Sequence, residues 1–370
     1  MKVLYVYATL RQRNGVTAVI MNYLRHMPKE GLQIDLLVYS DSEPDMVSLA
    51  ESLGTKVFFM PKLGLKSFRR FSSFLDAFFT DHPYDIVHSH FNQVDFALFP
   101  AARRHGVRHC ISHSHNTKLS DYPLRAVRNR LLCWNIARNA DTLAACSEAA
   151  GEALFGKVFS SDPRKLVVRN GVDIPRFSFD GQARHAIRDE FRVAPDEILL
   201  GHVGSFRPQK NHAFMLRLLN RLLKHSDRFK LCFVGNGGLW EHIRETAENM
   251  SLSDKVVFAG SRPDVPKILS AFDIFLLPSL FEGFGISLVE AQISGLPCLA
   301  SSRVPREVAF TDMVRFLPLG RNGSPWVDAV LDIRPGERTS HAAEAFAAGY
   351  DIAAAAESLA EFYRRKAVSP

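Results

Sequence analysis

Short runs that are apolar almost throughout alternate with amphipathic stretches along this chain, and the alternation starts afresh half-way. Residues 3–7, 34–38, 57–59, 86–88, 110–112, 143–145 and 166–168 read as strands, and helical periodicity lies between most of them, as at 17–27 and 124–137. A strand with apolar side chains on both faces must be covered on both, as in a parallel sheet between helical layers. A second set, 199–203, 231–234, 256–258, 274–277 and 298–300, repeats the pattern. Between the sets, residues 170–182 carry Gly171, Pro175 and Gly181 and read as a linker. The length of 370 residues fits two domains of ~150 residues. The expected fold class is therefore α/β: two doubly wound parallel-sheet domains, 1–180 and 181–351, facing each other. In such sheets ligands bind outside the carboxyl ends of the strands, and the space between the domains is the default site. The tail, 342–366, reads as one long helix weakened at Gly349.

Composition narrows the function. With 46% hydrophobic and 23% charged residues the chain is neither disordered, collagenous nor a coiled coil. The net charge of +7 is unevenly spread: residues 1–180 hold 23 Lys and Arg against 17 Asp and Glu, and residues 181–370 hold 23 against 22. An anionic partner should therefore meet the first half. No nucleic-acid-binding signature accompanies the charge, so no nucleic-acid partner is expected. Five cysteines without a C-x-x-C fit neither a disulfide framework nor a zinc site, and a reducing, cytoplasmic setting is expected. No uncharged apolar run approaches the ~18 residues of a membrane span. The apolar start is of strand length and lacks a small-residue cleavage site, so an unexported protein is expected.

Residues 281–297, F-E-G-F-G-I-S-L-V-E-A-Q-I-S-G-L-P, form the most specific segment. Glu282 and Glu290 are separated by seven residues. Gly283 and Gly285 allow close backbone approach to a ligand. Residues 286–293 read as a helix, so the free amides before it make an anion site. Glu290, about one turn in, can accept two ribose hydroxyls. Residues 201–212, G-H-V-G-S-F-R-P-Q-K-N-H, combine a bend at Gly204 and Ser205 with two cations, Arg207 and Lys210. That is the make-up of a diphosphate clamp, where fixed cations stabilise leaving-group charge. Gly235 and Gly237, in V-G-N-G-G after a strand, suit backbone contacts to a nucleotide.

Two H-x-H pairs, His88/His90 and His113/His115, place two imidazoles on one strand face. No carboxylate or cysteine of ligand spacing lies beside either pair, so no metal site is expected. Residues 11–17, R-Q-R-N-G-V-T, form a loop after the first strand in which Asn14 suits a left-handed turn with Gly15. N-G-V-D at 170–173 is a turn signal. Ser147 suits a helix N-cap, with Glu148 in the first turn.

The E-x7-E after a strand, followed by G-L-P-C-L-A, resembles the retaining GT-B glycosyltransferases, specifically glycosyltransferase family 4. Further segments match in order at 14–15, 115–116, 170–173, 204–211 and 234–238. The arrangement, with N-Y-L-R-H at 22–26, is most similar to bacterial exopolysaccharide and capsule enzymes. The resemblance implies two Rossmann-like domains, with a C-terminal helix, about 352–370, crossing back to the first. It implies that Glu282 contacts the donor sugar, that Glu290 holds the ribose, and that Phe284, Gly285 and Ile286 offer backbone amides. Lys210 matches the family's lysine. The family's arginine after the glycine is replaced by Ser205, and Arg207 is the candidate substitute. His115, beside Asn116, matches the histidine near the donor's reacting carbon, with His113 the runner-up. His88 and His90 line the acceptor side or fill the core. Asn14, Gly15 and Asn170 belong to the acceptor side or cleft, although the family's acid is replaced by Thr17. Ser147 also matches a family serine.

The function implied is transfer of a sugar from a nucleoside diphosphate, UDP on the resemblance, to a glycan or undecaprenyl-diphosphate-linked acceptor. Asp312, Asp328 and Asp332 form no D-x-D motif, so metal independence and no cofactor are expected. An epimerase or phosphorylase of the same fold is the alternative. A helix over 66–79 would place Phe68, Phe71, Leu75, Phe78 and Phe79 opposite Lys66, Arg69 and Arg70. It reads either as a contact to anionic membrane, on the inner face of the cytoplasmic membrane, or as a helix with its phenylalanines on the sheet. The second is favoured.

Overall fold

The computed structural model describes residues 1–12, 14–64, 67–117, 123–320, 323–334 and 336–368. Arg13, Lys66 and Asp121 lie outside them. The chain divides into two compact units: 1–171 with 352–370, and 172–351.

The first unit is built on a parallel sheet ordered β3-β2-β1-β4-β5-β6-β7. Its strands are β1 (Lys2–Val6), β2 (Gln33–Tyr39), β3 (Val57–Met60), β4 (Ile86–Ser89), β5 (His109–Ser114), β6 (Thr142–Ala145) and β7 (Lys165–Val167). The second unit has a six-stranded parallel sheet, β10-β9-β8-β11-β12-β13. Its strands are β8 (Ile198–Val203), β9 (Phe229–Val234), β10 (Val256–Gly260), β11 (Ile274–Leu277), β12 (Cys298–Ser301) and β13 (Val314–Leu317). Both units are Rossmann-like. β13 is absent from the sequence reading: it is a half-buried edge strand with exposed Arg315, so it lacks the uniform apolar run that marks the others. In each sheet the strand order reverses once, between β1 and β4 and between β8 and β11. The loops following those pairs are forced side by side.

The tail is two helices, not one. Ala342–Ala347 belongs to the second unit and Ile352–Val368 to the first. Gly349, at φ +76°, is in the left-handed region that ends a helix. The last helix buries Ile352, Ala356, Leu359, Ala360 and Tyr363 against Val3, Tyr5, Ile20 and Leu24. The chain crosses between units at Gly171/Val172 rather than at 180. The Val172 amide donates to the Tyr350 carbonyl (2.7 Å), and Ile174 is buried. Gly181 begins a helix, Gly181–Glu190, capped by the Asp180 carboxylate, which accepts from Gln182 and Ala183.

The helix Phe68–Asp81 turns Phe71, Leu75, Phe78 and Phe79 into the core, and Phe68 stacks on Phe96. The favoured reading holds for Phe71, Phe78 and Phe79, whereas Phe68 stays 43% exposed. Greater apolar exposure lies at Val127 (61% exposed), Leu131 (73%) and Trp134 (85%), on and just after the helix Pro123–Cys133. No described helix is long and apolar enough to cross a membrane.

Asp273 ties the second unit together. Its carboxylate accepts from Arg184 (2.6 Å), Arg188 (2.9 Å) and the Leu199 amide (2.7 Å), joining the helix Gly181–Glu190 to β8 and β11. Both Asp273 and Arg188 are buried. Asp273→Ala strands a buried cation and should lower stability by about 3–5 kcal/mol, read as a fall in the denaturant midpoint.

Candidate active site

The second unit assembles its polar residues at the β8/β11 reversal. β8 delivers Gly204 and Ser205; a single turn, Pro208–Lys210, follows, and Asn211 then adopts a left-handed conformation (φ 58°) before the helix His212–Leu222. β11 delivers Ser279 and Glu282. The Lys210 Nζ donates to Glu282 Oε1 at 2.6 Å, and the Ser279 hydroxyl donates to the same oxygen at 2.5 Å. Gln209 Nε2 donates to Glu282 Oε2 (3.3 Å) and to the Phe281 carbonyl (3.0 Å). Asn211 Nδ2 donates to the Pro278 carbonyl (3.2 Å). The two motifs read separately from the sequence are thus one structure, joined by an ion pair whose side chains are 14% and 6% exposed. Ser279 and Gln209 are absent from the sequence expectations; their only signal is a polar residue two positions past a uniformly apolar strand and one beside Lys210.

Arg207 is exposed and makes no side-chain hydrogen bond to a described residue, unlike Lys210. Gly285 is left-handed (φ 94°, ψ 50°) and starts the helix Ile286–Ile293, which has no side-chain cap. The Leu288 amide donates to the Gly285 carbonyl (2.9 Å), which leaves the amides of Ile286 and Ser287 as those an anion could meet. Phe284 is buried against Tyr350. Glu290 lies in this helix with no side-chain hydrogen bond to a described residue. Burial pushes its carboxyl up to about 8, against the pull of Arg176 and Lys210.

Gly235 and Gly237 have a packing role. A Cβ on Gly235 (φ +136°) would lie 2.1 Å from the Gly204 carbonyl oxygen, and one on Gly237 would lie 2.6 Å from that of Phe206. The loop 235–238 is pressed onto the loop 204–207, and Phe206 N–H donates to the Asn236 carbonyl (3.0 Å). Beneath them, buried His202 and His212 pack at 5.0 Å, and Phe206 stacks on His212. Burial pushes these imidazoles down to about 3 and about 2, so both are neutral. Neither was singled out from the sequence.

The first unit gathers its histidines at the β4/β5 ends. β4 and β5 are paired neighbours, so the two H-x-H pairs come together on one face. His88 Nε2 bonds His113 Nδ1 (3.0 Å), and His90 Nδ1 bonds His115 Nε2 (2.8 Å). His88 stacks on His90 (4.4 Å between centroids) and His113 on His115 (4.1 Å). Tyr363 of the last helix bonds His88 Nδ1 at 2.5 Å and Tyr5 at 2.8 Å. Burial holds His88, His90 and His113 well below the usual imidazole range and pushes His115 down to about 3. Asn116 is exposed beside them.

Asn14 differs from the expected left-handed turn. It is extended (φ −115°, ψ 123°) and caps the helix Gly15–His26, accepting from the Val16 (2.9 Å) and Thr17 (3.4 Å) amides and from the Tyr7 hydroxyl (2.9 Å). A Cβ on Gly15 would meet nothing within 4 Å. Ser147 caps the helix Glu148–Phe155, accepting from the Ala150 amide (3.0 Å). Asn22 and Tyr23 donate to the carbonyls of Gly171 and Arg169, holding the residues before the crossing. Asn170 is buried there, with its side-chain oxygen unpaired.

The family Glycosyltransferase Family 4 matches residues 13–176, and Glycosyl transferases group 1 matches 183–315. A protein of Bacillus subtilis (strain 168) named glycosyltransferase EpsF is 34% identical over 333 residues, covering 89% of this chain and 86% of that protein. The chain belongs to glycosyltransferase family 4. An Escherichia coli relative named UDP-Gal:alpha-D-GlcNAc-diphosphoundecaprenol alpha-1,3-galactosyltransferase is 28% identical over 78% of this family-4 chain and 76% of its own. The crystal structure of Anabaena Alr3699/HepE in complex with UDP has the same GT-B fold, with a TM-score of 0.78 at 18% identity over 99% of this chain and 100% of that one. This family-4 chain is therefore a transferase enzyme that binds a nucleotide sugar.

Gly235→Ala forces the two loops apart. It should lower stability by about 1–3 kcal/mol and reduce nucleotide affinity with it, measured by thermal melting and titration calorimetry on the same preparation.

Proposed function

We propose that this enzyme transfers a sugar, with retention at the anomeric carbon, from a UDP-sugar to a glycan or a lipid-diphosphate-linked acceptor in bacterial surface polysaccharide synthesis. The observation that carries the reading is the Lys210–Glu282 pair at the β8/β11 reversal, with uncapped helix amides and Glu290 on the same motif. The names of the relatives support the chemistry: the Escherichia coli protein is named for UDP-galactose and a diphosphoundecaprenol acceptor, and the Anabaena structure holds UDP.

Each residue has work to do. As the bond from C1 to the diphosphate breaks, negative charge grows on the leaving group. Lys210 and the amides of Ile286–Ile293 are fixed before the reaction and stabilise that charge without reorganising. Glu282 holds Lys210 in the unliganded state and binds hydroxyls of the donor sugar. Glu290 accepts the ribose hydroxyls, which requires its ionised form. Exposed Arg207 is free to swing to the diphosphate in place of the arginine missing at Ser205. Neutral His115 serves as a hydrogen-bond partner for sugar hydroxyls, with Nδ1 available while Nε2 engages His90. Reaction without a divalent cation follows from charge neutralisation by these groups.

The experiment is an assay with UDP-glucose, UDP-galactose and UDP-N-acetylglucosamine, with and without a lipid-diphosphate-linked acceptor, in EDTA. The expected outcome is acceptor-dependent UDP release that persists in EDTA. Epimerised donor without acceptor would favour the epimerase, and loss of turnover in EDTA restored by Mg²⁺ would remove metal independence.

Residue roles separate in binding and turnover. Glu282→Ala should lose turnover by at least about a hundredfold while keeping most UDP affinity. Glu290→Ala should weaken UDP binding itself, and Lys210→Ala should impair both. Titration calorimetry and initial rates on the three variants check the order.

The acceptor side is also proposed to meet anionic membrane, through the helix Pro123–Cys133. Val127, Leu131 and Trp134 form its exposed apolar stripe, beside exposed Arg128 and Arg130. Sedimentation with phosphatidylglycerol vesicles should fall sharply for Leu131→Ser/Trp134→Ser and at high salt, with phosphatidylcholine vesicles as the unbound reference.

A further inference from the structure

The four-histidine cluster contains more ligating capacity than its hydrogen bonds use. His90 Nε2 and His113 Nε2 are buried and have no hydrogen-bond partner among the described residues. Buried polar atoms rarely stay unpaired, and each such case asks for an unseen partner. One ligating nitrogen each from His88, His90 and His113 lies within 4.8 Å of the other two. From sequence the H-x-H pairs were weighed separately and no metal was expected. The pairing of β4 with β5 joins them.

We propose that His88, His90 and His113 form a binding site for a late first-row divalent cation, with Zn²⁺ as its defining ion. A tetrahedral ion holds imidazole nitrogens at ~2.0–2.1 Å and so about 3.3 Å from one another. Ring shifts of the order of an ångström bring the three nitrogens to that spacing. His88 exchanges its bond to His113 for the metal, while His90 and His113 use the Nε2 atoms that now lack partners. The outer nitrogens are already anchored: His88 Nδ1 by Tyr363 and His90 Nδ1 by His115. Such partners orient metal-bound histidines and set their tautomer. With the ion bound, His90 Nδ1 carries the proton and donates to His115 Nε2.

The donor set selects the ion. It is entirely imidazole, without carboxylate or thiolate. Zn²⁺, Ni²⁺ and Cu²⁺ favour such ligands, and Mg²⁺, Ca²⁺ and Mn²⁺ favour oxygen. The site goes beyond the proposed transfer reaction and does not depend on it: its readouts are metal binding and coordination, not turnover.

The test is equilibrium dialysis of the full chain, stripped with EDTA and returned to chelator-free buffer, against ZnCl₂ alone. One Zn²⁺ per chain should bind saturably, Mg²⁺ should not compete, and the thermal midpoint should rise with Zn²⁺. His90→Gln/His113→Gln should weaken binding at least tenfold, and exposed His242→Gln should not. X-ray absorption on the Zn²⁺-loaded unmodified chain should show a nitrogen shell at ~2.0–2.1 Å with imidazole scattering. This measurement decides the matter even if the double variant does not fold. Absence of saturable uptake by the folded chain overturns the proposal. So does uptake unchanged in a folded double variant, or a sulfur-containing shell, which would point to the cysteines.

Discussion

In a parallel sheet every strand ends on the same edge, and at a reversal of strand order two neighbouring strands send their connections to opposite faces. The loops leaving those strands must therefore run side by side with a gap between them. In the second unit this constraint places Lys210, from the loop after β8, within 2.6 Å of Glu282, from the loop after β11, although 72 residues separate them in sequence. Neither loop would hold its shape alone. The Gln209 carbonyl accepts from the Leu280 amide, Asn211 reaches the Pro278 carbonyl, and the loop after β9 packs on the first through two glycines. The site is a consequence of strand order, and its side chains are fixed by loops that brace one another.

Charge inside this arrangement is kept in balance. A buried carboxylate is tolerated where cations and hydroxyls surround it, and Glu282 has Lys210, Ser279 and Gln209. Glu290 has no side-chain hydrogen bond to a described residue, and burial outweighs the pull of Arg176 and Lys210, so its carboxyl is pushed up. The two glutamates of one motif therefore differ in chemistry before any ligand arrives. One already clamps a cation. The other is held near the point of ionisation. In the first unit the solution is different: four imidazoles shed their charge by burial and bond to one another in two stacked pairs.

Legibility in the sequence followed the strength of the physical signal. Strands buried on both faces announce themselves as apolar runs, so twelve of the thirteen could be placed; β13, with one charged and exposed residue in four, could not. The glycines at 235 and 237 were visible, but their role was not, because the surface they approach is another loop. Asn14 was read as a backbone conformer and acts instead as a cap, a distinction set by φ alone. The histidine pairs were legible as pairs. Their union depends on which strands are neighbours, and strand order is not written in local sequence.

The positive charge completes the picture, since its location and its apolar accompaniment come apart. Phe71, Phe78 and Phe79 of the helix Phe68–Asp81 are needed by the core, where Phe71 and Phe79 are almost completely buried. An apolar stripe along one side of a helix does not reveal whether it faces a core or a membrane, because both demand the same spacing. What distinguishes them is whether a layer beneath consumes the apolar stripe. For Phe68–Asp81 it does. For Pro123–Cys133 it leaves Leu131 and the adjoining Trp134 uncovered among arginines. Part of the excess charge of the first unit, Arg128 and Arg130, therefore lies beside these uncovered apolar side chains.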